Sequence, residues 1–301
     1  MIKLPPGVNI NNLIEDLKIF SWEVSEILLN YSQIIKDSNY KSNILKNGNL
    51  EDPVTIADLK VNELMIKRIN ENYKNINWEI LSEENAKINP TKKIINKDFV
   101  WILDPLDGTK DFLQGTGNYA MHLGLNYKNK PYLGIVLIPE REELWITNNR
   151  KVWCEKRDGS QTKIKLSGRK KLSEMILVTS KNHNNQTLDK IIKIIGFKES
   201  RKFGSVGCKI SSILRGESDI YISLSLPGKS SPKDWDFAAP EALLRSAGGA
   251  ITNLENEDLV YNKESFMQKG MIIASNNKTN HKNICEQIKI LLSEENLYPL
   301  G

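Results

Sequence analysis

FVWILDPLDGTKDF, residues 99–112, opens on five apolar residues and then sets two carboxylates three positions apart, ahead of glycine, threonine and lysine. A short run so rich in aromatic and branched residues, with no polar alternation, predicts a fully buried strand over residues 99–103. That strand delivers Asp104 to its end. Pro105 has no N–H to give a central ladder, so the spacing predicts that the chain leaves the strand there and turns at Asp107 and Gly108. A strand end carrying Asp104, Asp107 and Thr109 concentrates negative charge and a hydroxyl, an arrangement suited to a hard divalent cation and a phosphate.

Upstream, residues 79–81 read as a short strand ending in Ser82, Glu83 and Glu84. If it lies beside the Asp104 strand, Glu83, Asp104 and Asp107 meet at one edge. The polar, lysine-rich residues 85–98 between the two predict a surface loop. In DPVTIADLKVNEL, residues 52–64, Pro53 keeps Asp52 extended and Thr55 is the predicted N-cap of a helix whose first turn holds Asp58. Complementing the helix dipole is reason enough for an acid there. Residues 11–37 carry Leu13, Leu17, Phe20, Val24, Ile27, Leu28 and Tyr31 at helical spacing and predict one long packing helix.

Downstream, AMHLGLNY, PYLGIVLIP, EELWITN and KVWCEK predict successive antiparallel strands that continue the sheet. The lysine-rich stretch at residues 168–171 marks a boundary between two subdomains. Beyond it strands (175–180, 199–202) alternate with helices (186–195 and one after Gly207), the pattern of an α/β half. Gly204 and Gly207 flank Ser205 at a helix entrance, where backbone N–H groups can receive an anion or simply form a tight turn. In PKDWDFAAPEALLRSAGGAITNLE, residues 232–255, a helix over 237–246 is stopped by Gly248 and Gly249 and followed by a strand. Asp236 stands at its start, where capping is the default role. Residues 280–292 predict a final packing helix.

At 301 residues, with 40% apolar and 26% charged side chains, the chain has the capacity for a large core or two medium ones. The net charge of +5 comes from scattered basic residues, which supports no nucleic-acid stripe. Cys154, Cys208 and Cys285 are far apart and odd in number, arguing for buried thiols in a reducing compartment and against a disulfide framework or zinc cluster. The N-terminal MIKLPPGVNI lacks a signal-peptide core and no apolar run approaches the ~18 residues of a membrane span, so a cytoplasmic setting is expected. His122, His183 and His281 have no nucleophile motif beside them, which leaves carboxylates to carry the chemistry.

In order and flanking residues, Asp58, Glu83 with Glu84, Asp104, Asp107 with Gly108 and Thr109, and Asp236 resemble the inositol monophosphatase superfamily of magnesium-dependent, lithium-sensitive phosphatases. The resembling motifs are SEEN from Ser82, DPLDGT from Asp104, and WDFAA with the later AGG in residues 235–249. With VTIAD they span residues 52–252. Lysine after DGT, the GSVGCK turn and PKDWDFAAPE are more similar to the 3'(2'),5'-bisphosphate nucleotidase (CysQ-type) branch; inositol monophosphatases more typically carry threonine and asparagine after DGT.

The resemblance implies an α/β fold with an α+β first half, a layered αβαβα sandwich. Residues 1–168 would carry most metal ligands, and residues 169–301 would add Asp236 and substrate contacts. It implies two or three Mg²⁺ ions held by Glu83, Asp104, Asp107, Asp236 and the Leu106 carbonyl. Asp58 and Thr109 would orient and deprotonate the attacking water, with Glu83 also catalytic and Glu84 supporting the water network. The N–H groups of Gly108 and Thr109 would grip the phosphate, while Lys110, Ser205, Lys209 and Asp236 would contact the rest of the substrate. The implied reaction is hydrolysis of adenosine 3',5'-bisphosphate to AMP by metal-activated water, by a monomer or homodimer acting on a small phosphate ester, with no nucleic-acid or membrane partner. Rival readings keep the chemistry on inositol phosphate, histidinol phosphate or fructose 1,6-bisphosphate. A further rival is an inactive metal- and phosphate-binding protein.

Overall fold

The computed structural model describes residues 3–36, 56–88, 95–181 and 186–299. The expectations placed on Asp52, Pro53, Thr55 and His183, and on residues 89–94 of the loop, lie outside the described residues. Helices α1 (Ile10–Lys36) and α2 (Ile56–Asn72) come first, then β1 (Glu79–Ser82), the short α3 (Glu83–Ile88), β2 (Phe99–Asp107) and α4 (Thr109–Gln114). The antiparallel strands follow as β3 (Ala120–Tyr127), β4 (Lys130–Ile138), β5 (Glu143–Thr147), β6 (Val152–Glu155) and β7 (Gln161–Thr162). The remainder is β8 (Ile176–Ser180), α5 (Gln186–Ile195), β9 (Glu199–Phe203), α6 (Val206–Leu214), β10 (Ile220–Ser225), α7 (Asp234–Ser246), β11 (Ala250–Asn253), β12 (Gly270–Ser275) and α8 (Lys278–Glu294).

Strands β1–β7 form one sheet in chain order, with β1 parallel to β2 and every later pair antiparallel. A second sheet has the order β11-β12-β10-β8-β9. Alternation along the strands assigns the faces. Phe99, Trp101 and Leu103 point with Met121, Leu123 and Leu125 toward α1 and α2. Val100 and Ile102 point the other way, into a core built by α6 and α7 and closed by Val178, Tyr221 and Ile272 of the second sheet. The far face of that sheet, with Leu177, Ile222 and Ile273, packs on Ile191 of α5 and Ile288 of α8. Helices, sheet, helices, sheet, helices is the αβαβα sandwich that the sequence implied. Both faces of the first sheet are covered, which is why an antiparallel sheet reads as nearly continuous apolar runs.

Two local expectations are corrected. Strand β2 does not stop at Asp104 but continues through Pro105 to Asp107, with a shift of register against β3 between Asp104 and Asp107. Pairing with β1 ends at Leu103, so Pro105 sits where the ladder has only one neighbour and the irregularity absorbs its missing N–H. The stretch expected as a loop begins with helix α3, because the Ser82 hydroxyl accepts from the Asn85 N–H, 3.1 Å, and caps it.

Helix α7 lies close enough to the first sheet to demand glycine beneath it. Gly124 and Gly134 are paired across β3 and β4. A Cβ on Gly134 would come 2.6 Å from the Ala239 carbonyl oxygen, and one on Gly124 would come 3.0 Å from the Ala238 Cβ. Small residues on both partners set the depth at which α7, and thus Asp236, rests.

His281, on α8, is buried against the second sheet. Its Nε2 lies 2.8 Å from the Thr252 hydroxyl, which itself donates to the Asn253 carbonyl, and Nδ1 lies 2.7 Å from the Ser275 hydroxyl. These partners fit an Nε2–H imidazole that accepts from Ser275. Burial, with Arg245 nearby, lowers its pKa to about 4. The neutral ring is therefore favoured by folding, and its stabilisation is full above ~pH 6.5 and lost as pH falls toward 4. From this group alone the unfolding free energy is expected to drop by about 2 kcal/mol between pH 7 and pH 5. Denaturant titrations at both pH values check it. A His281→Gln variant should have the flatter pH profile, and coincident profiles would refute the assignment.

Among the described residues no helix is long and apolar enough to cross a membrane. The three cysteines are buried free thiols.

Candidate active site

A regular strand would aim Asp104 and Asp107, three residues apart, at opposite faces. The irregularity at Pro105 and Leu106 turns both to the same side, where α7 brings Asp236 as the third residue of its first turn. Asp104, Asp107 and Asp236 each offer an oxygen within 4.8 Å of the others. The backbone around them is tied locally: the Leu106 N–H donates to Asp104 Oδ1, 3.1 Å, and the Thr109 hydroxyl donates to the Leu106 carbonyl, 3.1 Å. Gly108 takes φ +88°, and a Cβ there would come 2.9 Å from the Asn118 carbonyl oxygen.

Asp236 combines the two roles between which its sequence position left a choice. Its Oδ2 accepts from the Lys233 N–H, 2.6 Å, satisfying a backbone donor at the helix start, while the same carboxylate belongs to the acidic cluster. Glu83 opens α3 and its charge acts on Asp104, and Lys87 Nζ lies 3.0 Å from both Glu83 and Glu84. Lys87 is a residue that the sequence reading missed. The i, i+4 spacing from Glu83 was visible, but only once residues 83–88 are a helix. Asp58 is buried in α2 and adds its charge to the field at Asp104.

Burial pushes the Asp104 carboxyl well above the usual carboxylate range, and repulsion from Glu83, Asp107, Asp236 and Asp58 adds to it. Asp236 is raised well above that range in the same way, by burial and then by Asp107. Glu83 is raised by burial against the pull of Lys87. An all-oxygen donor set converging with this much uncompensated charge fits hard divalent cations, whose own charge reverses the local pKa logic.

The glycine turn behaves differently from either expectation. The backbone N–H groups of Val206 and Gly207, at the start of α6, both donate to Asp107 Oδ2. The anion received by that helix start is the protein's own carboxylate. Ser205 is fully buried, and its hydroxyl caps α6 by accepting from the Cys208 N–H, 3.2 Å. Lys209 is only 1% exposed; its ammonium donates to the Gly204 carbonyl, 2.7 Å, and lies over the Tyr221 ring. Burial lowers its pKa while Asp107 and Asp236 hold the charge. Lys209 is thus an internal cation near the acidic cluster, where it offsets part of the buried negative charge. Lys110 is exposed, one residue beyond Thr109.

The sequence pattern of the inositol monophosphatase family matches residues 13–293. Over 225 residues the chain is 29% identical to the 3'(2'),5'-bisphosphate nucleotidase CysQ of Aggregatibacter actinomycetemcomitans, which covers 73% of this chain and 80% of that protein. It is 25% identical over 237 residues to the Nus factor SuhB of Pseudomonas aeruginosa, covering 76% and 80%. Among solved structures, an IMPase of Thermotoga maritima superposes with a TM-score of 0.70 at 20% identity, covering 94% of this chain and 99% of that one. A dual-specific IMPase/NADP phosphatase bound with D-inositol-1-phosphate gives 0.72 at 18% identity, covering 94% and 96%. With its layered fold, its acidic cluster and a match running almost end to end, the chain belongs to the inositol monophosphatase family of phosphatases.

Proposed function

We propose that this phosphatase is a Mg²⁺-dependent 3'(2'),5'-bisphosphate nucleotidase that converts adenosine 3',5'-bisphosphate to AMP and phosphate. The observation that carries the chemistry is the convergence of Asp104, Asp107 and Asp236. The choice of substrate is supported by the CysQ relatives at 25–30% identity and by Lys110, a cation at the solvent-exposed rim of the same turn.

In this reading Glu83, Asp104, Asp107, Asp236 and the Leu106 carbonyl hold the ions. When bound, these supply Lewis acidity at the phosphate and charge neutralisation of the leaving oxygen. The chain's own residues do the rest. Gly108 and Thr109 present backbone N–H groups to the phosphate oxygens. Thr109 Oγ1 and the Asp58 carboxylate orient the attacking water and take its proton, and Glu84 supports the water network. Lys110 meets the second phosphate. Lys209 and the start of α6 hold Asp107 from behind. A cytoplasmic setting, expected from the cysteine usage, belongs to the same proposal.

A second reading, inositol 1-phosphate as substrate, draws on the SuhB relatives and on the fold likeness to the phosphatase with bound inositol phosphate. Phosphate release with Mg²⁺, with and without Li⁺, across adenosine 3',5'-bisphosphate, its sulfated analogue, inositol 1-phosphate and fructose 1,6-bisphosphate separates the readings. Preference for the adenosine compounds, suppressed by Li⁺, is the expected result. Preference for inositol 1-phosphate overturns the nucleotidase reading and keeps the metal site.

A further inference from the structure

His122 is fully buried in β3, where its Cα is the register partner of Asp104. Its ring touches three separate parts of the site. Nδ1 lies 3.4 Å from the carbonyl oxygen of Trp235, the residue before Asp236. Nε2 lies 3.1 Å from the Gly207 N–H nitrogen and 3.3 Å from Asp107 Oδ2.

The partners decide the tautomer. A carbonyl only accepts and an amide N–H only donates, so Nδ1 carries the proton and Nε2 is bare. A bare Nε2 and a carboxylate oxygen then share one donor: the Gly207 N–H faces both, at 3.1 Å and 3.4 Å. Glycine at 207 has its reason here, because a Cβ would come 2.3 Å from Nε2. The groups facing the ring, Asp107 and Lys209 from β2 and α6 and the Trp235 carbonyl from α7, come from elements up to 113 residues away from it in sequence.

We propose that His122 is a positioning residue of the metal site, a neutral imidazole that fixes the Asp107 carboxylate and the entry of α7 in one mutual arrangement. Through Gly207 it keeps Asp107 Oδ2 turned toward the start of α6, and through Trp235 it sets where Asp236 begins its helix. It touches no substrate atom in this role. The inference rests on Asp107 and Asp236 being metal ligands.

The test compares His122→Gln, His122→Asn and His122→Leu with the parent protein in calorimetric titrations with Mg²⁺ and Mn²⁺ alone, with thermal unfolding in parallel. Gln places a polar atom near the Nε2 position and Asn one near Nδ1, whereas Leu replaces neither. The expected order of metal dissociation constants is parent, Gln, Asn, Leu, with Leu weaker by about tenfold, the loss expected from one hydrogen-bond interaction. At saturating Mg²⁺ the turnover of all three should return to within about threefold of the parent, since a positioning residue acts through affinity. Equal affinity in all four proteins overturns the proposal, as does a fall in turnover at saturating metal with unchanged affinity. Should Leu fail to fold, the comparison of Gln and Asn with the parent decides. A parent that binds metal but hydrolyses no ester in the panel sinks the proposed substrate and leaves the His122 comparison intact.

Discussion

Asp104→Asn is expected to give a folded protein that releases phosphate at least about a thousandfold more slowly than the parent, because in the proposed reading Asp104 holds the metal and its charge is gone. The same change should raise the stability of the metal-free protein. Asp104 is 2% exposed and its carboxyl is raised well above the usual range by burial and by its acidic neighbours. A carboxyl whose folded pKa exceeds its unfolded value contributes stability that is full at acid pH and lost as pH rises. The metal-free parent therefore gains stability from this group as pH falls through its raised folded pKa, and the Asn variant lacks that gain. The sign is opposite to that of His281, so a variant at each position separates two trends that partly cancel in the parent. Mg²⁺ at a hundred times its dissociation constant should stabilise the parent by about 2.7 kcal/mol and the variant far less. Thermal unfolding with and without Mg²⁺, beside a phosphate-release assay, reads all of this. Near-parent turnover in the variant would remove Asp104 from the metal site.

Gly134→Ala is the second large effect, and it acts at a distance from the chemistry. The new methyl meets the Ala239 carbonyl oxygen at 2.6 Å and the Ala242 methyl at 2.9 Å, so α7 must lift. Overpacking of this kind costs about 1–3 kcal/mol. Lifting α7 also carries Asp236 away from Asp104 and Asp107, so metal affinity should fall together with stability. Adding Ala242→Gly should recover only part of both, because the clash with the Ala239 carbonyl oxygen remains. Gly168→Ala, where nothing lies within 4 Å of the added Cβ, is the matched control and should change neither. If Gly134→Ala binds Mg²⁺ like the parent at an unchanged melting temperature, the seam does not set the position of Asp236.

Much of the layering was legible in the sequence because burial on both faces leaves a coarse imprint. The apolar runs from residue 99 onward read as strands, and 3.6-residue periodicity gave α1 and α8 almost to their ends. Strand β12 was missed: GMIIAS is short and follows turn-rich residues, and only pairing with β10 and β11 makes it a strand. Of the site, the acidic residues were legible through their spacing and their neighbours, whereas their supports were not. Nothing local says that the Gly207 amide faces Asp107, because that contact depends on a residue about a hundred positions away. Pro105 misled for the opposite reason: its local meaning was clear, and the sheet edge beside it relaxed the constraint.

The acidic cluster draws Asp104 and Asp107 from β2 and Asp236 from α7, with the start of α6 against Asp107. Closing the loops that join these elements is entropically slow compared with forming α1 or the β3–β4 hairpin. The site is therefore expected to form late in folding. During synthesis, β2 emerges well before the chain reaches Asp236, and for that interval its two aspartates face water, unburied and without the third. On gradual unfolding the order reverses: the middle layer has only to loosen for metal affinity to vanish while the first sheet and its helices still stand. Loss of activity should accordingly precede loss of helical signal along a denaturant titration, making catalysis a more sensitive reporter of the middle layer than any spectroscopic measure of the whole fold.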